Sequence, residues 1–209
     1  MTGFVERLIS EVDHGLRSVF TTPKSSRPNP SDTIEEATLS AAEKNKIAAL
    51  MRINHTGEVC AQALYRGQMA AASDKRTYDM LLQSSIEEQD HLSWTDQRLN
   101  EVGGRTSYLN PFWYVASYCI GWATAKHSDA ISLGFVEETE KQVGEHLASH
   151  LAQLPSQDQK TAAVIDLMQE DEARHGHHAH QAGGQDLPSW LKTVMRFQSK
   201  VMTSLAYWI

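Results

Sequence analysis

The sequence predicts an all-α protein built around a four-helix bundle, and three observations lead to this prediction. Along several long segments, apolar residues recur every three or four positions, which is the period of an amphipathic helix. No run of alternating apolar and polar residues lies between turn signals, so we expect no sheet. A Glu-x-x-His pair occurs in each half of the chain, at Glu88 and His91 and again at Glu172 and His175.

Length and charge narrow the class of function. A chain of 209 residues suits one domain with a substantial core. The net charge of −7 and the dispersal of the 19 Lys and Arg residues argue against nucleic-acid binding. The first residues do not resemble a signal peptide. The best apolar window, residues 111–125, is shorter than the roughly 20 residues that span a bilayer.

The first 38 residues predict an amphipathic segment and a linker. Apolar residues at helical spacing mark the segment, and they are Phe4, Leu8, Val12, Leu16 and Val19. Residues 21–30 are polar and rich in proline, which favours a linker. We therefore assign residues 1–38 to this N-terminal part and residues 39–209 to one helical domain.

Two predicted helices follow, and each carries an acidic residue on an otherwise apolar face. The first covers about residues 41–72, begins at a capping box, and has Glu58 on its apolar stripe. The second covers about residues 75–102 and has Glu88 on its inner face, with His91 beside it. Two glycines directly after the second helix are a strong stop signal.

The same arrangement returns in the second half of the chain. A helix over about residues 128–154 has an apolar stripe that Glu140 completes. The next predicted helix ends before Gly183 and has Glu172 and His175 on its inner face. The chain therefore contains an internal repeat of a helical hairpin, and two such hairpins form a four-helix bundle.

Two further helices are predicted outside the repeat. Residues 112–125 are apolar on most sides and rich in aromatic residues, so this helix is either deeply packed or in contact with an apolar environment. Residues 190–209 form a basic amphipathic helix with tryptophan, phenylalanine and aliphatic residues on one side. A basic amphipathic helix is typical of proteins that lie on a membrane surface.

The repeat brings four carboxylates and two imidazoles to the middle of the bundle. Burying unpaired carboxylates costs several kcal/mol each, whereas a domain has a net stability of roughly 5–15 kcal/mol, so cations are required there. Oxygen-rich ligation with one imidazole per ion favours iron or manganese over structural zinc. This is the ligand pattern of the ferritin-like di-iron proteins. The predicted metal ligands are Glu58, Glu88, His91, Glu140, Glu172 and His175.

Within this set, Glu88 and Glu172 are expected to bridge two ions. Glu58 and His91 would complete the coordination of one ion, and Glu140 and His175 would complete that of the other. Glu137 is the alternative to Glu140 if the helix register is shifted by one turn.

The other acidic and histidine residues have ordinary interpretations. We expect Glu137, Glu138 and Glu145 to form a solvated helix face. His177, His178 and His180 are expected to be solvated at a helix end. His55 and His146 are expected to be partly buried and hydrogen-bonded rather than metal ligands, with a role near the site as the alternative. Because a metal-bound imidazole usually donates its second nitrogen to an acid, Asp171 and Glu87 are the candidates for this role on the opposite hairpin.

Several motifs resemble the membrane-associated di-iron hydroxylases of late ubiquinone biosynthesis, the demethoxyubiquinol hydroxylases. The resemblance covers the chain from about residue 47 onward. The motifs are Arg52-Ile53-Asn54-His55-Thr56-Gly57-Glu58, Glu88-Gln89-Asp90-His91-Leu92, Pro111-Phe112-Trp113, Gly134-Phe135-Val136-Glu137-Glu138-Thr139-Glu140 and Asp171-Glu172-Ala173-Arg174-His175.

The resemblance implies a ferritin-like fold with two iron ions, and hydroxylation of a polyprenylated benzoquinol ring with O2 and a reductant. It also implies peripheral contact with the cytoplasmic side of the cell membrane. A substrate-delivery protein and a homo-oligomer are compatible with it. Animal members carry a His-Tyr pair near the site, whereas here His146 is followed by Leu147, so a role for that tyrosine is not carried over.

Two rival functions belong to other classes. A ferritin- or rubrerythrin-like protein that oxidises iron or removes peroxide would share the ligand set. The aromatic apolar helix and the lack of a Cys-x-x-Cys motif argue against it. A non-enzymatic helical binding protein would have no reason to bury six metal-ligating residues.

Overall fold

The computed structural model describes residues 3–209, except the side chains of Phe4 and Arg7. The prediction for Phe4 therefore lies outside the described residues, as do Met1 and Thr2. Within the described range the chain forms helices and no strand, which confirms the all-α prediction. The helices are α1 (Phe4–Phe20), α2 (Ala41–Ala71), α3 (Lys75–Glu101), α4 (Asn110–His127), α5 (Asp129–Leu151), α6 (Gln159–Gln181) and α7 (Ser189–Trp208).

Side-chain caps and glycines set the ends of the bundle helices. Ser40 caps α2 and accepts a hydrogen bond from the Glu43 backbone, and Ser128 caps α5 in the same way. Gly103 and Gly183 have φ of 76° and 104°, which only glycine adopts at little cost, and they follow α3 and α6.

Helices α2, α3, α5 and α6 form the predicted four-helix bundle. α2 packs along α3 and α5 along α6, and the two hairpins meet through α3 with α6 and α2 with α5. Two apolar layers fill the interior. One layer includes Met51, Trp94 and Met168, and the other includes Tyr65 and Val136. Each helix carries its predicted metal ligands between its contributions to these two layers, so the candidate site is a polar layer enclosed along the bundle axis.

Helix α4 lies outside the bundle, against α2, at a close crossing made possible by two glycines. A Cβ atom on Gly67 of α2 would overlap with the carbonyl oxygen of Tyr118. A Cβ atom on Gly121 of α4 would overlap with the carbonyl oxygen of Leu64. The opposite side of α4 exposes apolar side chains such as Phe112 (61%) and Val115 (62%), so the helix is packed on one face only.

Helices α1 and α7 also leave apolar faces exposed. On α7, Lys192 contacts Glu138 at 3.4 Å, and Arg52 of α2 donates to the Tyr207 carbonyl oxygen at 2.8 Å, so the helix is attached near both ends. Its exposed apolar residues include Phe197 (70%) and Trp208 (76%). Across residues 3–209, none of the helices combines the length and apolar character needed to cross a membrane.

Residues 21–38, which we call the connector, do not behave as a free linker. Ser93 of α3 donates to the Pro23 carbonyl oxygen at 3.2 Å, and Asn29 donates to Gln97 at 3.0 Å. Glu36 pairs with the fully buried Arg98 at 2.6 Å. These polar contacts hold the connector against the bundle, although its composition predicted a linker.

Candidate metal centre

The structure brings all six predicted ligands together at the centre of the bundle. None of them is more than 4% exposed. Their donor atoms form two overlapping groups, in each of which the ligand atoms lie within 4.8 Å of one another. Glu88 and Glu172 belong to both groups, Glu58 and His91 to one, and Glu140 and His175 to the other, and we call the six residues the central cluster.

Both histidines direct Nδ1 into the central cluster. Nδ1 of His91 lies 3.3 Å from Glu88 Oε2 and 3.4 Å from Glu172 Oε1. Nδ1 of His175 lies 2.9 Å from Glu88 Oε1. The helical spacing of three residues places each imidazole beside the carboxylate of the preceding turn, as in the pairs of His91 with Glu88 and of His175 with Glu172. The other contacts join α3 to α6 and depend on the packing of these helices.

The second ring nitrogens point outward to the acids predicted for this role. Nε2 of His91 lies 2.9 Å from Asp171 Oδ2, and Nε2 of His175 lies 3.0 Å from Glu87 Oε2. Each acid belongs to the opposite hairpin, so the predicted contacts are confirmed. An imidazole that donates from Nε2 keeps a lone pair on Nδ1, which is the state a metal ligand requires.

Several donor atoms of the central cluster have no hydrogen-bond partner among the residues that the structure describes. They are Glu88 Oε1, Glu172 Oε2 and His175 Nδ1. Glu88 Oε1 and His175 Nδ1 are 2.9 Å apart but do not have hydrogen-bond geometry. Unpaired buried polar atoms are costly, and atoms that converge without bonding to each other suit a cation between them. The donor set therefore fits two metal ions.

Charge in the central cluster favours cations. Burial raises the pKa of Glu58 and of Glu140, and the neighbouring carboxylates raise it further. Burial opposes the imidazolium of His175, but Glu172 and Glu88 raise its pKa to about 11. Without metal, protons therefore compensate part of the buried negative charge. Metal ions would displace those protons, because ligation requires deprotonated donors.

Tyr65 is a neighbour of the central cluster that sequence reasoning did not assign to the site. Its hydroxyl donates to Glu140 Oε1 at 2.5 Å. Burial raises the pKa of Tyr65, as does the charge of Glu140, so the hydroxyl stays neutral and keeps its proton. The available signal was its position seven residues, or two helical turns, after Glu58.

An outer layer of charged residues surrounds the histidines and was also missed. Arg174 donates to Asp171 Oδ1 at 2.6 Å and to Glu87 Oε2 at 2.5 Å, so it links the acids behind both histidines. Arg27 of the connector contacts Asp171 and the buried Asp90. Arg174 and Asp90 lie within the noted motifs, whereas nothing in the connector sequence distinguished Arg27.

The acidic residues next to Glu140 on α5 lie in different environments. Glu137, the alternative ligand, contacts the exposed His180 at 3.2 Å outside the central cluster, so the register that selects Glu140 is confirmed. Glu145 is exposed as expected. The expectation for Glu138 was wrong, because it is 4% exposed and pairs with Lys192 of α7, a helix whose position the sequence of α5 does not reveal.

The remaining histidines agree only in part with their predicted environments, because His55 is more buried than expected and His146 lacks the expected hydrogen bond among the described residues. His177, His178 and His180 are exposed. His55 is 3% exposed and lies 3.4 Å from the Asn110 side-chain nitrogen, and burial lowers its pKa to about 4. His146 is half-buried, and its Nε2 has no partner among the described residues.

A cavity of about 150 Å³ leads to the central cluster. Glu58, Glu88, Glu140 and Glu172 are among the residues that line it. The walls are mainly apolar and come from α2, α4, α5 and α7. Residues that line it include Ile53, Leu64, Trp113, Phe135, His146, Met195 and Met202. Apolar side chains of α4 and α7 therefore line the same cavity as the carboxylates.

Comparison with known proteins identifies a family. The family model described as ubiquinone biosynthesis protein COQ7 matches residues 45–206. A 3-demethoxyubiquinol 3-hydroxylase from Coxiella burnetii is 49% identical over 194 residues, covering 93% of this chain and 90% of that protein. Proteins of the same name from Chromobacterium violaceum and Polynucleobacter necessarius are 46% and 49% identical over 203 and 204 residues, with 97% of this chain and 98% of each relative covered.

Proposed function

The chain belongs to the COQ7 family and is a hydroxylase of ubiquinone biosynthesis, and we propose that its reaction takes place at a di-iron centre held by the central cluster. The observation that carries this proposal is the pair of overlapping, buried donor groups that share Glu88 and Glu172. The substrate that we propose is the one that the relatives' name gives, a demethoxyubiquinol.

In this proposal the central cluster holds two iron ions. Glu88 and Glu172, which belong to both donor groups, would serve both ions, and each ion would have one further glutamate and one histidine. When bound, the iron supplies activation of O2 and transfer of one oxygen atom to the electron-rich ring, with electrons from a reductant.

The chain's own contribution is to bind and orient the ring and to exclude water. Ile53, Phe135 and Met195 line the cavity with apolar surface that fits a substituted benzoquinol. The unpartnered Nε2 of His146 offers a hydrogen bond to a ring hydroxyl, and because burial lowers the pKa of His146, its ring is neutral at pH 7. Asp171 and Glu87 hold the Nε2 protons of the two ligating histidines.

The polyprenyl tail requires contact with lipid, and we propose peripheral association with the cytoplasmic side of the cell membrane. Exposed apolar side chains on α1, α4 and α7 support this, as do Arg196 and Lys200 on the polar side of α7. Residues of α4 and α7 line the cavity together with the four glutamates, and we infer that a tail in the membrane interface enters between these two helices.

The decisive experiment combines iron content with lipid-quinone analysis. A strain that lacks the protein is complemented with the wild type, Glu172→Ala or the matched control Glu170→Ala, whose residue is exposed two positions away. We expect about two irons per chain and normal ubiquinone with the wild type and the control. Glu172→Ala should lose iron and accumulate the demethoxylated quinone. His146→Leu should retain iron but slow conversion.

A different result would redirect the function. If Glu172→Ala lost iron while ubiquinone stayed normal, the central cluster would still be a metal site. The proposal that this site carries out the hydroxylation would be refuted. The ferritin- or rubrerythrin-like alternative, iron oxidation or peroxide removal, would then take its place.

A further inference from the structure

Arg27 connects the connector to the outer layer of the central cluster. Its Nη2 donates to Asp171 Oδ2 at 2.6 Å. The same oxygen lies 2.9 Å from His91 Nε2. A continuous line of contacts therefore runs from guanidinium to carboxylate to imidazole, and it ends at a residue whose Nδ1 faces the cluster.

The guanidinium is fixed on more than one side. Its Nε donates to Asp90 Oδ2 at 2.7 Å, and the Ser26 backbone donates to Asp90 Oδ1 at 2.5 Å. The Arg27 Cζ atom lies 4.8 Å from the centre of the Trp94 ring, which itself lies 5.5 Å from the His91 ring. A planar donor with two separate N–H directions and a stacking face fits this position, and lysine does not.

We propose that Arg27 is a positioning residue that fixes Asp171 and, through it, the ring of His91 for metal binding. This inference rests on the proposed metal centre and extends it to the connector, which precedes the family-matched residues 45–206. Outer partners of metal-bound histidines typically contribute 10- to 100-fold to metal affinity. Arg174 also donates to Asp171, so the loss of Arg27 leaves one cation in place. The expected effect is therefore near the lower end, about 10-fold.

The test is a cobalt(II) titration of the metal-free full-length protein, followed by visible absorption. We expect Arg27→Ala to weaken one of two cobalt sites about 10-fold and to change its absorption spectrum. Arg27→Lys should resemble Arg27→Ala, because it cannot contact both aspartates in the same geometry. Lys24→Ala, an exposed cation in the same connector, should match the wild type.

A second comparison separates positioning from simple docking of the connector. Asn29→Ala removes the 3.0 Å contact with Gln97 and loosens the connector without altering Asp171 or its partners. It should lower the thermal unfolding temperature but leave both cobalt affinities unchanged. In an Asp171→Asn background, Arg27→Ala should have no further effect on cobalt affinity, because the pathway is already interrupted.

The outcomes are distinguishable. If the wild type binds fewer than two cobalt ions, the proposed metal centre itself fails. If the wild type binds two and Arg27→Ala binds them equally well, the role of Arg27 is refuted while the centre stands. Equal weakening by Asn29→Ala and Arg27→Ala would assign the effect to docking and also refute it.

Discussion

The hydroxyl of Tyr65 donates a 2.5 Å hydrogen bond to Glu140 Oε1, and this contact leads to a prediction at the scale of one atom. Tyr65→Phe keeps the buried ring but leaves Glu140 free to reorient. We expect the free energy of unfolding to change by about 1 kcal/mol and metal affinity at the Glu140 site to fall about 10-fold. Iron titration and activity assays measure this. Tyr78→Phe, at a 39% exposed position on α3, is the control and should change neither.

His55 makes stability depend on pH. Burial lowers its folded-state pKa to about 4, below the ordinary 6.5 of the unfolded chain. The unfolded state therefore takes up a proton first, so the contribution is fully present above pH 6.5 and is lost as pH falls through the window between 6.5 and about 4. The free energy of unfolding of His55→Gln should therefore fall by about 3 kcal/mol less than that of the wild type as the pH is lowered through this window.

Urea unfolding at pH 7 and at pH 4 checks this prediction, with the exposed His127→Gln as the control. The carboxylates titrate in the same way in both variants and in the wild type. Any difference in how the free energy of unfolding changes between pH 7 and pH 4 therefore comes from the substituted histidine. The same pH dependence of stability in His55→Gln and in the wild type would refute the role of His55.

Glu137, Glu138 and Glu140 lie within one turn of α5 and have three different environments. Periodicity correctly selected Glu140, because the apolar stripe of a helix defines which side faces the bundle. It failed for Glu138, because that side of α5 meets α7, and periodicity within one helix contains no information about a helix from another part of the chain.

At the scale of helices, the crossing of α2 and α4 depends on the absence of side chains. A Cβ atom on Gly121 would overlap with the Leu64 carbonyl oxygen, which is backbone and cannot rotate away. Gly121→Ala should therefore separate the helices and lower the free energy of unfolding by about 2 kcal/mol.

Gly144 of α5 is the matched control, because a Cβ atom there meets nothing within 4 Å among the described residues. Gly144→Ala should stabilise the protein by up to about 1 kcal/mol, since alanine favours helix. Chemical denaturation measures both variants. Equal effects of the same sign would contradict the role of the close crossing.

The apolar face of α7 gives a prediction about membranes. Replacement of Phe197 and Trp208 by serine removes two side chains that are 70% and 76% exposed. We expect binding to vesicles that contain phosphatidylglycerol to fall about 100-fold or more, because burial of each side chain contributes roughly 1.5–3 kcal/mol. Vesicle sedimentation measures this, and Ile86→Ser, an exposed apolar position on α3, is the control. Undiminished binding of the double variant would contradict the assignment of this face.

At the scale of the whole molecule, metal and fold are coupled. The central cluster lies between two apolar layers, and all four bundle helices contribute to it. Ions that bind only the folded state stabilise it by about 4 kcal/mol per site at a thousand times the dissociation constant. Calorimetry should therefore record a marked fall in the unfolding temperature when metal is chelated.

Glu172→Ala is the variant that checks this coupling, since Glu172 belongs to both donor groups. Its unfolding temperature should respond only weakly to added iron or to chelator. A full metal-dependent shift in this variant would place the stabilising ion elsewhere.

The sequence by itself determined the bundle and its six candidate ligands. Helical period, caps and glycine stops are local properties, and Glu88 and His91 are adjacent on a helix whatever surrounds them. The repeat then paired the hairpins, and the cost of burying carboxylates required cations. Asp171 and Glu87 followed from the same geometry and are found at 2.9 and 3.0 Å from the histidines.

Only the tertiary structure decided what reaches the site from distant parts of the chain. Tyr65 meets Glu140 across 75 positions and Arg27 meets Asp171 across 144, and no local pattern encodes such contacts. The connector looked like a linker because proline-rich polar sequence lacks a helical period, yet its polar groups bind buried acids. Periodicity reports which side of a helix is buried, whereas the identity of the neighbour depends on how the helices pack.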